Sequence, residues 1–212
     1  TDFASLPPPT LTLLPSGSTW TYLDDGTDQG VTWREVDFPG ASQWESGPAE
    51  LGYGDGDEAT VVAFVDADPD SPRIDKNATT YFRTTFDIDD ASRIESLMIE
   101  LLRDDGAAVY LNGTLVALSN LAEGAAFDAY AESTVGGSGE SSFFLFDVPV
   151  DLLVDGANLL AVEVHQASPT SSDISFDLRM LATAQPVPEP GGLPLALLAT
   201  VGMAAAVRRG GV

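Results

Sequence analysis

Residues 97–116 read LMIELLRDDGAAVYLNGTLV, and the fold is decided there. Leu97, Ile99 and Leu101 alternate with Met98, Glu100 and Leu102, the period-two pattern of a strand. Asp104-Asp105-Gly106 interrupts that run. Glycine accepts the positive φ of a tight reversal and aspartate hydrogen-bonds its own following backbone, so the triplet predicts a turn. Val109 and Leu111 then share one face of a second strand, with Ala108 and Tyr110 on the other. Asn112-Gly113 is the strongest two-residue hairpin signal, because both residues tolerate the left-handed backbone of a type I′ turn. Leu115 and Val116 begin the return. The stretch predicts a three-stranded antiparallel meander.

A partner lies downstream, where Leu152-Leu153-Val154-Asp155-Gly156-Ala157-Asn158 turns into Leu159-Leu160-Ala161-Val162-Glu163-Val164-His165. Alternation puts Leu160, Val162 and Val164 inward, and Ala161, Glu163 and His165 outward. The pair DDGAAVYLNG and LLVDGANLLAVEVHQ resembles the galactose-binding-like jelly-roll β-sandwich, and the non-catalytic sugar-binding domain of family 2 glycosidases. The run from Trp44 through Leu51-Gly52-Tyr53-Gly54 resembles the opening of the same module. The resemblance spans roughly Trp20 to Leu181 and implies a fold more sharply than a ligand.

Composition narrows the partners. The chain has 212 residues with 33 Asp and Glu against 9 Lys and Arg, a formal charge of −24. That field repels phosphate backbones, which argues against nucleic acid, and suits divalent cations or a salt-rich medium. Hydrophobic residues make up 44%, enough for one sizeable core, and 20 Gly with 14 Pro fit a turn-rich β domain. The absence of Cys removes disulfides, thiol nucleophiles and thiolate metal sites together.

Taken in order, residues 1–18 contain Pro7-Pro8-Pro9 and read as an extended lead-in, in which Leu11, Leu13 and Leu14 could add an edge strand. Trp20 to Leu23, Val61 to Val65, Tyr81 to Ile88, Phe143 to Val150 and Ile174 to Met180 read as strands. Ala122 to Gly139 reads as a long surface loop, and no amphipathic helix is evident before residue 185. About eight or nine strands without helices predict an all-β sandwich over 19–183.

Composition changes at Thr183. A linker over 184–192 holds Val187-Pro188-Glu189-Pro190, an apolar run extends from Leu193 to Val207, and Arg208-Arg209 follows. This three-part tail resembles the PEP-CTERM sorting signal of Gram-negative bacteria. The resemblance implies export to the cell envelope or beyond, transient membrane anchoring through one short hydrophobic C-terminal helix, and processing near the Pro-Glu-Pro by an exosortase-type enzyme. An apolar run of roughly 15–17 residues is at the short end for crossing a bilayer, and a terminal Arg pair favours the cytoplasmic side. Thr1 is either a mature N-terminus or a fragment end.

Candidates for chemistry are few. His165, the sole histidine, would have to serve any Ser-His-Asp triad with Ser168, Ser171 or Ser172, yet no G-x-S-x-G elbow accompanies it, so a structural role is expected. Asp66, Asp68 and Asp70 have the alternate spacing of a calcium loop, but Ser71 and Asn77 stand where an EF-hand needs glycine and bidentate glutamate. They read either as a calcium site or as a solvated acidic turn. Asp104-Asp105 reads as turn chemistry or part of a cation site. Among Trp20, Trp33, Trp44, Tyr53, Tyr110 and Tyr130, the tryptophans read as core, while Tyr53 and Tyr130, in Gly- or Ala-rich loops, are the candidate platforms for stacking on a sugar ring. The combined expectation is a non-catalytic, secreted module that contacts envelope or extracellular polysaccharide, with no cofactor beyond calcium. A structural matrix protein without a ligand, or the C-terminal piece of a larger hydrolase such as a phosphoesterase, are the alternatives.

Overall fold

The computed structural model describes residues 9–185. In chain order the strands are β1 (Thr10–Leu14), β2 (Thr19–Leu23), β3 (Glu45–Pro48), β4 (Leu51–Tyr53), β5 (Thr60–Val61), β6 (Thr79–Ile88), β7 (Ile94–Asp104), β8 (Gly106–Leu111), β9 (Thr114–Ser119), β10 (Phe144–Val148), β11 (Gly156–His165) and β12 (Ile174–Ala184). They form two six-stranded sheets. One runs β10-β7-β12-β4-β5, with β1 also paired to β12; the other runs β3-β2-β6-β11-β8-β9. The helical segments among the described residues are five short 3-10 turns. The expected all-β sandwich is therefore the architecture. The C-terminal helix expected from the sequence, and with it Val187, Pro188, Glu189, Pro190, Arg208 and Arg209, falls outside the described residues.

Alternation builds the core as the sequence predicts. Leu97, Ile99 and Leu101 of β7 and Phe176, Leu178 and Met180 of β12 meet Trp20 of β2, Phe82 of β6 and Leu160, Val162 and Val164 of β11. Phe176 stacks on Phe82 at 4.3 Å between centroids and meets Trp20 edge-on at 4.9 Å. Such pairs add about 0.5–1.5 kcal/mol each to the gain from burial. Asn112 and Gly113 have φ of 49° and 83°, so the expected type I′ hairpin joins β8 to β9. Asn112 also ties that hairpin to β11: its Oδ1 accepts from the Leu159 amide at 2.9 Å and its Nδ2 donates to Asn158 Oδ1 at 2.8 Å.

The meander is corrected. β7 belongs to one sheet and β8 to the other, so Asp104-Asp105-Gly106 carries the chain between sheets and is not a hairpin tip. Both carboxylates are buried, each 1% exposed. Asp105 holds the crossing by accepting from the amides of Val135 and Ala167, each at 2.6 Å. Gly106 is needed there because a Cβ would sit 2.6 Å from the Asn120 carbonyl oxygen and 2.8 Å from Ala131 Cβ. Two further expectations shift. Thr10 to Leu14 joins the sandwich through β12 with Leu14 buried, so the domain begins before residue 19. Val61 to Val65 forms strand only at Thr60–Val61, and Val61, Phe64 and Val65 are exposed.

The outward residues of β11 are buried as well. The segment 31–44 and the loop 121–125 lie over the outer face of the β3-to-β9 sheet and bury a second apolar cluster there, with Trp33, Trp44, Tyr81, Tyr110 and Leu159 at its centre. Trp33 packs 4.8 Å from Tyr81 and 5.9 Å from Tyr110, both edge-on. This covering strap is what positions the polar groups described next.

Candidate functional site

Strand register sets out the outer face in rows. Tyr81 of β6 stands opposite Leu23 of β2 and Glu163 of β11, and Glu163 stands opposite Ala108 of β8. The neighbouring row runs Ser46, Thr21, Arg83, Ala161 and Tyr110. Tyr110 and Glu163 are thus diagonal neighbours, within reach for long side chains. The Tyr110 hydroxyl donates to Glu163 Oε1 at 2.7 Å. Arg34, from the strap, donates from Nη2 to the same oxygen at 3.4 Å and lays its guanidinium 3.8 Å over the Tyr110 ring.

These groups floor a cleft of about 300 Å³ walled by Val31 on the strap and by Gly124, Ala126 and Phe127 of the loop after β9. Glu163 is 4% exposed. Burial pushes the Tyr81 and Tyr110 phenols above their ordinary range, and the bond to Glu163 raises Tyr110 further. Both remain donors across physiological pH. The cleft therefore has a fixed, hydrogen-bonded polar floor and an apolar rim at Val31 and Phe127, both exposed. That combination suits a ring with hydroxyl edges and an apolar face.

The residues singled out from the sequence fall elsewhere. Tyr53, on β4, is half-buried: Lys76 Nζ lies 4.4 Å from its ring centre, Phe64 packs 5.2 Å away, and its hydroxyl accepts from Gln166 Nε2 at 2.7 Å. The open stacking face expected of Tyr53 is taken up by these neighbours. Tyr130 is exposed and lines a hollow of about 90 Å³ with Phe127, beside the cleft. Asp66, Asp68 and Asp70 are exposed, and each of the first two caps backbone rather than facing a common centre. Asp66 Oδ1 accepts from the amides of Asp68 and Asp75, and Asp68 Oδ1 from that of Asp70. Among the described residues no three acidic or imidazole groups converge as a metal site. His165 is fully buried, with Nδ1 at 2.7 Å from the Ala129 carbonyl and 3.0 Å from Thr79 Oγ1, as its structural reading expects.

The cleft residues Arg34, Tyr81, Tyr110 and Glu163 were not picked out as a group by the sequence. The available signal was a charged residue at an outward strand position next to strand-centre aromatics. What it lacked was the order of strands that brings them together.

The fold is a two-sheet β-sandwich. No protein-family model matches the sequence, and no curated protein matches it. Among solved structures the chain is similar to a β-glucuronidase of an uncultured Clostridium species, at 15% identity and TM-score 0.50, over 86% of this chain and 31% of that one. It is also similar to the β-glucuronidase of Ruminococcus gnavus in complex with D-glucuronic acid, at 12% identity and TM-score 0.48, over 82% and 29%. The β-D-mannosidase of Dictyoglomus thermophilum follows at 15% and 0.40, over 74% and 16%. The first likeness is one of fold, and the chain spans about a third of that protein's length.

Proposed function

We propose that this chain is a non-catalytic carbohydrate-binding sandwich that contacts envelope or extracellular polysaccharide through the cleft over Tyr110 and Glu163. The observation that carries the reading is the fixed Arg34–Glu163–Tyr110 group beneath an exposed apolar rim. The likeness in fold to part of a β-glucuronidase supports a role near glycans without assigning one. Catalysis is left out because glycoside hydrolysis needs two carboxyls, one of them free to trade a proton. Glu163 is committed to Tyr110 and Arg34, and the other carboxylate lining the cleft, Asp28, is exposed at its edge. Export and sorting complete the proposal. The Val187-Pro188-Glu189-Pro190 tail with its apolar run and Arg208-Arg209 would deliver the domain to the envelope, anchor it transiently in the membrane and present it to an exosortase-type enzyme.

Titration calorimetry with oligosaccharides cut from the host's polysaccharides tests the binding. A shallow site for a neutral sugar should give a Kd on the order of 0.01–1 mM, or roughly −7 to −4 kcal/mol. Turnover of chromogenic glycosides that disappears in Glu163→Gln would refute the non-catalytic part. A second reading, a sandwich domain of a larger hydrolase, is favoured by the same β-glucuronidase likeness. A catalytic domain encoded in frame beside this one would establish it.

A further inference from the structure

A second concavity on the same outer face holds a cation that has no counter-ion among the described residues. This groove, about 270 Å³, is lined by Thr19, Thr21, Ser46, Thr85 and Arg83, with Val36 of the strap along its edge. Arg83 is 4% exposed. Its Nη2 donates to the Glu35 carbonyl at 2.7 Å, but Nε and Nη1 have no hydrogen-bond partner among the described residues. Among those residues no carboxylate lies within 4.0 Å of the guanidinium. Phe38 and Trp44, at 5.3 and 5.9 Å, offer it only ring faces. Burial pulls its pKa below the ordinary arginine value, the mark of a charge removed from water without full compensation. A buried donor set left open in this way calls for an acceptor from outside. It is notable in a chain whose formal charge is −24, where a carboxylate partner could have been supplied from within many times over.

We infer that this groove receives the carboxylate of an acidic sugar, a uronate unit of the polysaccharide, with Arg83 as its ion partner. The planar guanidinium matches a carboxylate in shape and charge, the Thr19, Ser46 and Thr85 hydroxyls around it can both donate to and accept from ring hydroxyls, and Thr21, whose hydroxyl donates to the Arg83 carbonyl, can accept. The volume suits a single sugar ring. Tyr81 and Arg83 are alternate residues of β6, about 7 Å apart along the strand, so groove and Glu163 cleft are neighbours under one strap. Consecutive units of one glycan can therefore occupy both. This inference rests on the carbohydrate reading and adds a charge class to it.

The test follows the Arg83 Nε–H resonance of the whole protein by NMR during titration with galacturonate, with galactose and with sulfate, all at one ionic strength. Galacturonate should shift the resonance saturably, and galactose should leave it in place. Arg83→Gln should weaken galacturonate binding at least about tenfold, the scale of a lost charge-assisted pair, while a neutral oligosaccharide keeps its affinity. Should that variant fail to fold, Thr85→Val at the exposed edge provides the second check, with weaker galacturonate binding at an unchanged melting temperature. An unmoved Arg83 signal at tens of millimolar galacturonate overturns the inference, as does an equal response to sulfate, which would mark a general oxyanion site. If neutral oligosaccharides bind and galacturonate does not, only this inference falls; if neither binds, the carbohydrate reading falls with it.

Discussion

Replacing Asp104 by Asn should change how the stability of this protein depends on pH. Asp104 sits at the crossing between the sheets, 1% exposed, and its Oδ1 has no partner among the described residues. Its carboxyl is pushed up to about 8, first by burial, then by the charge of Asp105 and, farther off, of Asp173 and Glu140. A free aspartate titrates near 4, so between about pH 4 and 8 the folded chain holds a proton that the unfolded chain has released. Stability from this group is complete below pH 4 and is lost as pH rises through 8. One proton corresponds to at most about 1.4 kcal/mol per pH unit, which amounts to roughly 3 kcal/mol between pH 5.5 and 8.5. Asparagine has nothing to release, and the rising charge of the acids away from the Asp104–Asp105 pair is common to both proteins. Urea unfolding followed by tryptophan fluorescence at constant ionic strength reads the difference. Asp104→Asn should gain on the parent by about 3 kcal/mol across that window. Parallel profiles, differing by less than about 0.5 kcal/mol in slope over the range, would refute a buried neutral carboxyl here.

Tyr110→Phe removes one of the two donors to buried Glu163 and should cost about 1.5–3 kcal/mol in the same unfolding assay, the range for a hydrogen bond to a charged group. A change below 0.5 kcal/mol would mean that Glu163 is not held in this way. Because Asp66 and Asp68 cap backbone and the three aspartates do not converge, millimolar calcium should raise the melting temperature no more than sodium chloride at equal ionic strength; an excess that vanishes in Asp68→Ala would establish the calcium site. In a host with the matching exosortase, intact-mass analysis of exported protein should find everything beyond the Pro-Glu-Pro region gone, and a mature chain ending in Val212 would count against processing.

Much of the sandwich was legible because one face of each strand is apolar. The alternations in Leu97 to Leu101, Leu160 to Val164 and Ile174 to Met180 identify core faces without further information. Asn112-Gly113 was legible because its conformational demand is local. Asp104-Asp105-Gly106 was misread because a turn signal reports a change of direction and not which sheet the chain enters next. The cleft was hidden for a related reason. Glu163 and Tyr110 sit on outward positions that alternation alone assigns to solvent, and their burial depends on a strap, residues 31–44, that has no periodicity to read. Arg83 was hidden likewise, since the row linking it to Thr21, Ala161 and Tyr110 follows only from strand order. Tyr53 looked like loop chemistry because its glycine-rich surroundings say nothing of Lys76, more than twenty residues away, packing on its ring.

The most direct measurement is calorimetric titration of the parent and of Phe127→Ala with oligosaccharides from the host's own polysaccharide. Phe127 is 37% exposed at the rim of the cleft, and the bond that its carbonyl accepts from Thr79 Oγ1 survives the substitution. Stacking of an aromatic residue on an apolar sugar face should be lost while the fold is kept. The parent should bind with a Kd on the order of 0.01–1 mM, and the variant at least about fivefold more weakly, at the same melting temperature. No heat at millimolar ligand, or equal affinity in parent and variant, would contradict a carbohydrate site in this cleft.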